Sequence, residues 1–385
     1  MNTERTDDST NTELATPHTG AETTPDNSDL HLTPRVDTTF RASRQVTPEA
    51  AQAHFAVVAP GADGDLIDGK ANATWRALRY RWPRYERWCE ATGRRPLPCD
   101  AEQLRDFVRE MIAARLAPSS IAAYVAGVCT VARLRSSFAD RRLVGEHMKA
   151  ARRRHGPPRR ARPARGADIA DLFALLDPTN IRDVRDAVVF ALGFGLAARA
   201  SELVGLDLER AGSFERGATG VLQIGADGIV VRWHRTKAAQ EREVELSIPD
   251  RDMPEAREWL TRWITLATIA PGSPLLRPLT RHHTAVAARL SGATISTIVR
   301  VRVEQLEIAR GVAPAEARDR AARFSSHSLR RGFCTTAAEA GTPLNVIRER
   351  SRHADDGMVA RYVGEAQQRS ASGLAGLLPT KGTST

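Results

Sequence analysis

The chain has 385 residues, 42% of them hydrophobic and 5% aromatic, enough for two domains with separate cores and in keeping with a mostly helical, alanine-rich protein. Lysine and arginine number 56 against 46 acids, and because residues 1–45 hold eight acids against four basic residues, the net +10 becomes +14 over the remainder. That balance points to a polyanion partner, most simply nucleic acid, although an arginine-rich genome would leave the same mark.

No apolar run reaches membrane-spanning length, and the longest, Ala187 to Ala198, reads as a buried helix. Cys89, Cys99, Cys129 and Cys334 are scattered without CxxC spacing, so neither a disulfide framework nor a zinc site is expected. The polar, acid-bearing N-terminus does not read as a signal peptide. The expected compartment is the reduced cytoplasm.

Residues 1–45 are rich in Thr, Asp, Glu, Asn and Pro, and so are expected to form a disordered extension. A first helix is expected from Pro48 to Val57. Gly64-Asp65-Leu66-Ile67-Asp68-Gly69-Lys70-Ala71 nearly matches a phosphate-binding loop. It lacks the metal-binding hydroxyl at Ala71, and Asp65 and Asp68 would repel phosphates, so it reads as an ordinary loop.

Residues 46–150 are read as a helical domain of four or five helices. Trp75, Leu78, Trp82, Tyr85 and Trp88 recur at helical spacing, with Pro83 expected to kink or interrupt the helix. Asp100 and Gln103 suggest a capping box before Leu104, Phe107, Val108 and Met111. A third helix starts near Ser119 or Ser120 and buries Ile121, Tyr124, Val125, Val128 and Val131.

Residues 151–167 contain RRRHGPPRRARPAR, with Arg152, Arg153, Arg154, Arg159, Arg160, Arg162 and Arg165 and no acid. Prolines argue for an extended linker. It is either a solvated spacer or a strap that tracks phosphates between two DNA-clamping bodies.

A second domain is expected over 168–372, with a short tail over 373–385. It opens with Ile169, Leu172, Phe173 and Leu176 on one helix face, then a buried helix over 182–196 that leads into Arg199 and Glu202. An arginine after a buried helix end must be paired or meet a ligand, so Arg199 and Glu202 form either a structural ion pair or part of a site. Residues 220–224, 229–234 and 244–248 read as three strands of a small antiparallel sheet, with Lys237 at the last turn. A lysine at a hairpin tip is usually a solubility device. Further helices are expected from Pro254 to Ala267 and from Thr294 to Arg310. His282 and His283, without carboxylate or cysteine partners at metal spacing, read as loop residues.

The stretch from Ser325 to Val363 organises the rest. His327 and Arg330, three residues apart, share a helix face, and Leu329, Phe333, Ala337 and Ala340 give that helix its apolar stripe. Gly341 stops it and Thr342-Pro343 start another. His353 follows Arg330 by 23 residues and Tyr362 follows His353 by nine, with Asp355-Asp356-Gly357 as a turn between them.

His327-Ser328-Leu329-Arg330 with the later histidine and tyrosine resembles the C-terminal signature of the tyrosine recombinase (phage integrase) family. The segment around Arg199 and Glu202 resembles that family's first catalytic arginine and its bracing acid. One departure is visible: the family usually has Gly before the second histidine, where this chain has Arg352. The resemblance implies a mainly α fold with a small antiparallel β-sheet, built as a helical core-binding domain and a mixed α/β catalytic domain. It implies Arg199, Lys237, His327, Arg330 and His353 as catalytic residues, Tyr362 as nucleophile, and no metal or cofactor. Double-stranded DNA is the implied partner, with a homo-tetramer assembled on it, the C-terminal segment docking on a neighbouring protomer.

The residue types suit these roles. A phenol with a pKa of about 10 needs an acceptor such as His327. In the roles the resemblance implies, the guanidinium groups would stabilise negative charge on phosphate oxygens, His353 would add a third hydrogen bond to the phosphate, and Lys237 would protonate the leaving sugar oxygen. The implied function is site-specific recombination through a 3′-phosphotyrosine intermediate. A non-cleaving DNA-binding accessory protein of the same fold and a type IB topoisomerase-like activity remain the alternatives.

Overall fold

A computed structural model describes residues 72–156, 161–209, 219–234 and 243–353, together with Gly357 and Ala360. The expectations for the N-terminal extension, the first helix, the 64–71 loop, Arg159, Arg160, Lys237, Tyr362 and the C-terminal tail lie outside the described residues.

The first core is made by four helices, α1 (Asn72–Ala91), α2 (Ala101–Ala113), α3 (Pro118–Leu134) and α4 (Val144–His155). Trp82, Tyr85, Leu104, Phe107, Ile121 and Val128 meet in it, each at most 2% exposed. The proline expected to interrupt α1 does not: the helix runs for 20 residues with Pro83 inside. Trp82 and Tyr85 on either side are both in the core, and their burial offsets the one missing amide hydrogen bond.

The capping box is half formed. Asp100 accepts from the Gln103 amide at 2.7 Å, but the Gln103 side chain turns inward and donates to Tyr85 Oη at 2.7 Å and Arg95 O at 2.8 Å. A buried phenol and a carbonyl claim that side chain before the helix end can.

Arg152, Arg153 and Arg154 are not in an extended linker; they occupy the last turn of α4 and are exposed. No proline lies within Val144–His155, Ala151 is buried and anchors the turn, and cations suit a helix C-terminus. From Ala161 the chain is extended, but it is packed down rather than free. Arg162 N donates to Arg323 O at 2.9 Å, Ala164 N to Ser328 O at 3.0 Å, and Arg331 Nη1 to Ala161 O at 3.0 Å. The Arg162 side chain stays exposed, and Arg165 pairs with Glu339 at 3.3 Å.

The second core takes α5 (Gly166–Leu175), α6 (Ile181–Gly195), the short α7 (Ala200–Val204), a four-stranded sheet, α8 (Pro254–Leu266), α9 (Gly292–Ala309), α10 (Pro314–Ala321) and α11 (Ser326–Glu339), while α12 (Leu344–Ser351) packs Ile347 against Cys334 of α11 in a small cluster of its own. The apolar run at 187–198 is the buried α6 and the turn after it. A charge network ties α6 to α9: Arg302 donates to Asp186 at 2.7 Å and to Asp183 at 2.6 Å.

The sheet is mixed, not antiparallel. Its order is β1 (Leu206–Leu208), β2 (Gly220–Ile224), β3 (Gly228–Trp233) and β4 (Val244–Pro249), and β1 pairs parallel to β2 while the other pairs are antiparallel. A three-residue strand one residue after a helix shows no alternation, so β1 leaves no periodic trace in the sequence. No described helix is long and apolar enough to cross a membrane.

Two close approaches set the position of α11. Gly193 of α6 makes room for Leu329, whose Cδ1 would lie 2.4 Å from an added Cβ. Gly332 lies under the strap at 161–165, where an added Cβ would fall 1.6 Å from Ala164 O. Gly332→Ala therefore forces backbone apart and should destabilise the protein by about 1–3 kcal/mol. Thermal or denaturant unfolding checks this, and wild-type stability would contradict the packing.

Candidate active site

The turn after α6 creates the first half of the site. Ala197 takes a left-handed conformation (φ 46), so the chain reverses and Arg199 becomes the residue that starts α7. Glu202, in the first turn of α7, reaches back and accepts from the Arg199 backbone N–H at 2.9 Å, as an acid in that position does for a helix start. The same carboxylate accepts from Arg199 Nη1 at 2.6 Å. Glu202 is 3% exposed while the Arg199 side chain keeps a quarter of its surface in solvent (25%).

The second half comes from α11. Arg330 is 1% exposed, and its Nη1 donates to Ala197 O at 2.9 Å. Its Nε faces His353 Nε2 at 3.3 Å. The remaining Nη2 is buried with no hydrogen-bond partner among the described residues. Burial and then the neighbouring Arg199 pull this guanidinium down to about 10, so it is still cationic at neutral pH.

His353 follows α12 and is held from behind. Ser351 Oγ donates to Arg348 O at 3.3 Å and lies 2.7 Å from His353 Nδ1. With its proton on Arg348, the Ser351 oxygen accepts from Nδ1–H, which assigns Nε2 as the acceptor that meets Arg330. Burial first, then Arg330, Arg199, His327 and Arg352, push the ring to about 4, so it is neutral.

His327 lies one turn before Arg330 and is exposed at the rim. Its pKa is also lowered, by desolvation and then by Arg330, Arg199 and Arg331.

Of the residues singled out from the sequence, Arg199, Glu202, His327, Arg330 and His353 come together here. Trp233 and Val244 pair at the root of the β3–β4 hairpin, on whose connecting segment Lys237 stands, outside the described residues as is Tyr362. Arg152, Arg153 and Arg154 lie on α4 and Arg162 and Arg165 on the strap, where Arg165 pairs with Glu339 rather than with a member of this cluster.

Two participants were missed by sequence reasoning. Ser351 carried no signal, being one small polar residue at a helix end. Arg352 did carry one, since a charged residue stood where the family usually has glycine. It takes the left-handed conformation that glycine would favour (φ 52, ψ 44), so the turn before His353 is kept without glycine. Its guanidinium pairs with Glu202 Oε2 at 2.7 Å. Among the described residues, no group of His, Cys, Asp and Glu side chains is placed to hold a metal ion.

The two depressed histidines make stability depend on pH with a definite sign. Between about 6.5 and 4 an unfolded chain binds a proton at the histidine that folded His353 refuses. The contribution of His353 to stability is therefore full above that window, falls as pH drops through it, and is gone below about 4. His327 acts in the same direction. His353→Gln removes one titrating group, so the shift of the denaturant midpoint between about pH 7 and pH 5 should shrink. An unaltered shift would mean that His353 is not held neutral.

A family model described as "Phage integrase family" matches residues 165–369. An integrase/recombinase xerD homolog of Selenomonas ruminantium is 27% identical over 313 residues, covering 77% of this chain and 83% of the relative. Among solved structures, the XerH site-specific recombinase bound to palindromic difH substrate in a post-cleavage complex is similar in fold. Its TM-score is 0.54 at 10% identity, over 81% of this chain and 82% of that one. The Tn1549 transposon integrase in complex with transposon right end DNA has a TM-score of 0.50 at 15% identity, over 80% of this chain and 95% of that one. With more than half of its residues matched by the family model and the second core built as described, the chain belongs to the phage integrase family of tyrosine-type site-specific recombinases.

Proposed function

We propose that the protein cuts and rejoins double-stranded DNA through a 3′-phosphotyrosine intermediate formed by Tyr362. The observation that carries this reading is the buried Nη2 of Arg330, a cationic donor without a partner among the described residues. A guanidinium taken out of water and left one donor short is stabilised by an anion that accepts from it, and a phosphodiester oxygen is such an acceptor.

The chemistry balances without a nucleotide. Tyr362 Oη attacks phosphorus, the bond to the sugar 5′-oxygen breaks, and that oxygen takes a proton; reversal with another 5′-hydroxyl reseals the strand. Arg199 and Arg330 stabilise the negative charge that builds on the non-bridging oxygens. His327, kept neutral by its surroundings at ordinary pH, accepts or orients the phenol proton. Lys237 is the general acid for the leaving oxygen. His353 as arranged accepts from Arg330, so it aims that guanidinium, and its own hydrogen bond to phosphate requires the ring to gain a proton or exchange tautomer.

The XerH and Tn1549 integrase structures are complexes with DNA, and duplex DNA is the partner we propose here. Four copies assembled on it in the cytoplasm complete the reading. The arginines at the end of α4 and on the strap would meet phosphates and add affinity without sequence choice.

Two experiments test this. DNA nicked beside the cleavage site should trap a covalent complex, and Tyr362→Phe should abolish the adduct while folding and binding survive. Arg330→Ala should weaken both binding and chemistry, with chemistry losing more, by about 10²–10³-fold. A Tyr362→Phe protein that still forms the adduct would overturn the assignment, and a wild type that binds specifically but never reacts would favour an accessory DNA-binding role. Replacing Arg152, Arg153 and Arg154 with Ala keeps the helix and should lower the slope of log affinity against log salt by up to about 3. An unchanged slope would make the segment a solvated spacer.

A further inference from the structure

Arg352 stands where the backbone favours glycine and the surroundings exclude water. It is left-handed at φ 52 and 7% exposed, two conditions that disfavour a long charged side chain. What offsets them is the number of groups it joins. Nη2 donates to Glu202 Oε2 at 2.7 Å, and Nη1 donates to Leu196 O at 3.2 Å and to Arg350 O at 2.9 Å. The guanidinium carbon lies 4.3 Å from the centroid of the Trp233 ring. Its backbone carbonyl accepts from Arg199 Nη2 at 3.2 Å. His353 is the next residue along the chain.

Each contact reaches a different part of the site. Trp233 ends β3 and pairs with Val244 at the start of β4, so it is the root of the hairpin whose connecting segment carries Lys237. Trp233 Nε1 also donates to Glu202 O at 3.4 Å. Glu202 is the carboxylate that holds Arg199. By taking Oε2, Arg352 leaves Arg199 a single side-chain bond to Oε1 in place of a two-point grip. One negative charge is then shared between two cations, and Arg199 keeps more of its own charge for a phosphate.

We propose that Arg352 is a positioning residue for strand cleavage: stacked on Trp233 and paired with Glu202, it sets the aim and effective charge of Arg199 and fixes the hairpin root beside His353. Glycine at this position would satisfy the backbone but leave Glu202 wholly to Arg199 and the Trp233 face uncovered. The proposal rests on the cleavage reading above.

The test is single-turnover formation of the covalent adduct on nicked duplexes tiled across the DNA flanking the gene. DNA affinity and thermal midpoint are measured in parallel for wild type, Arg352→Gly and Arg352→Lys. Arg352→Gly should bind DNA within about twofold of wild type yet form adduct about 10- to 100-fold more slowly, the range expected when a catalytic group is displaced by a fraction of an ångström to an ångström. Arg352→Lys keeps a charge for Glu202 but not the planar group on Trp233, and should recover part of that loss. An Arg352→Gly protein that reacts at the wild-type rate overturns the proposal. So does a rate loss that vanishes when the assay is cooled well below the variant's unfolding transition, because that would be a purely structural effect. If Arg352→Gly does not fold, Arg352→Lys decides: slowed cleavage with intact binding supports the proposal, and a wild-type rate refutes it. Wild type forming no adduct is a separate result that removes the cleavage reading itself.

Discussion

A guanidinium that is almost fully buried, without a carboxylate of its own among its described hydrogen-bond partners, is the constraint on which the second core depends. Arg330 is 1% exposed, and its described partners are one carbonyl and one neutral ring. An unpaired buried charge is costly, so each surrounding element has to be placed to make that cost tolerable. The left-handed turn at Ala197 aims a carbonyl at it, Gly193 lets α11 approach α6 closely, and Ser351 turns the imidazole so that a lone pair faces the arginine. The strap at 161–165 also packs closely on α11, which is why a single Cβ at Gly332 has no room. Packing and charge placement are here the same problem.

The electrostatics of the cluster follow from its composition. Three arginines, Arg199, Arg330 and Arg352, surround one carboxylate, Glu202, so the site carries excess positive charge in surroundings largely closed to water. Burial alone would raise the Glu202 carboxyl, but Arg352, the Arg199 backbone amide and the Arg199 side chain together bring it below the usual range. The two histidines are lowered as well, by burial first and then by neighbouring cations, Arg330 and Arg199 foremost. The result is fixed donors without a matching number of acids, together with neutral imidazoles able to take protons. That is a suitable arrangement for an anion whose charge grows during reaction.

Much of this was legible in the chain, where periodicity or residue type is strong. The His327–Arg330 spacing gave one helix face, the apolar run at 187–198 gave a buried helix, and three β-rich segments gave three of the four strands. What escaped was decided by tertiary context. Pro83 is tolerated because two aromatic neighbours are worth more in the core than one hydrogen bond. β1 is too short to show a period, and its parallel pairing made the sheet mixed. Arg152, Arg153 and Arg154 belong to the end of a helix because the proline that stops it comes only at Pro157. Arg352 was visible as a departure but not as a partner, because its carboxylate lies 150 residues earlier in the chain.

The most direct measurement is the structure of the wild-type protein trapped on a nicked duplex. The account predicts a phosphate oxygen within hydrogen-bond distance of Arg330 Nη2 and another facing Arg199, with the phosphorus bonded to Tyr362 Oη. A trapped complex in which Arg330 Nη2 meets no phosphate, or in which the DNA is joined to a different side chain, would contradict it.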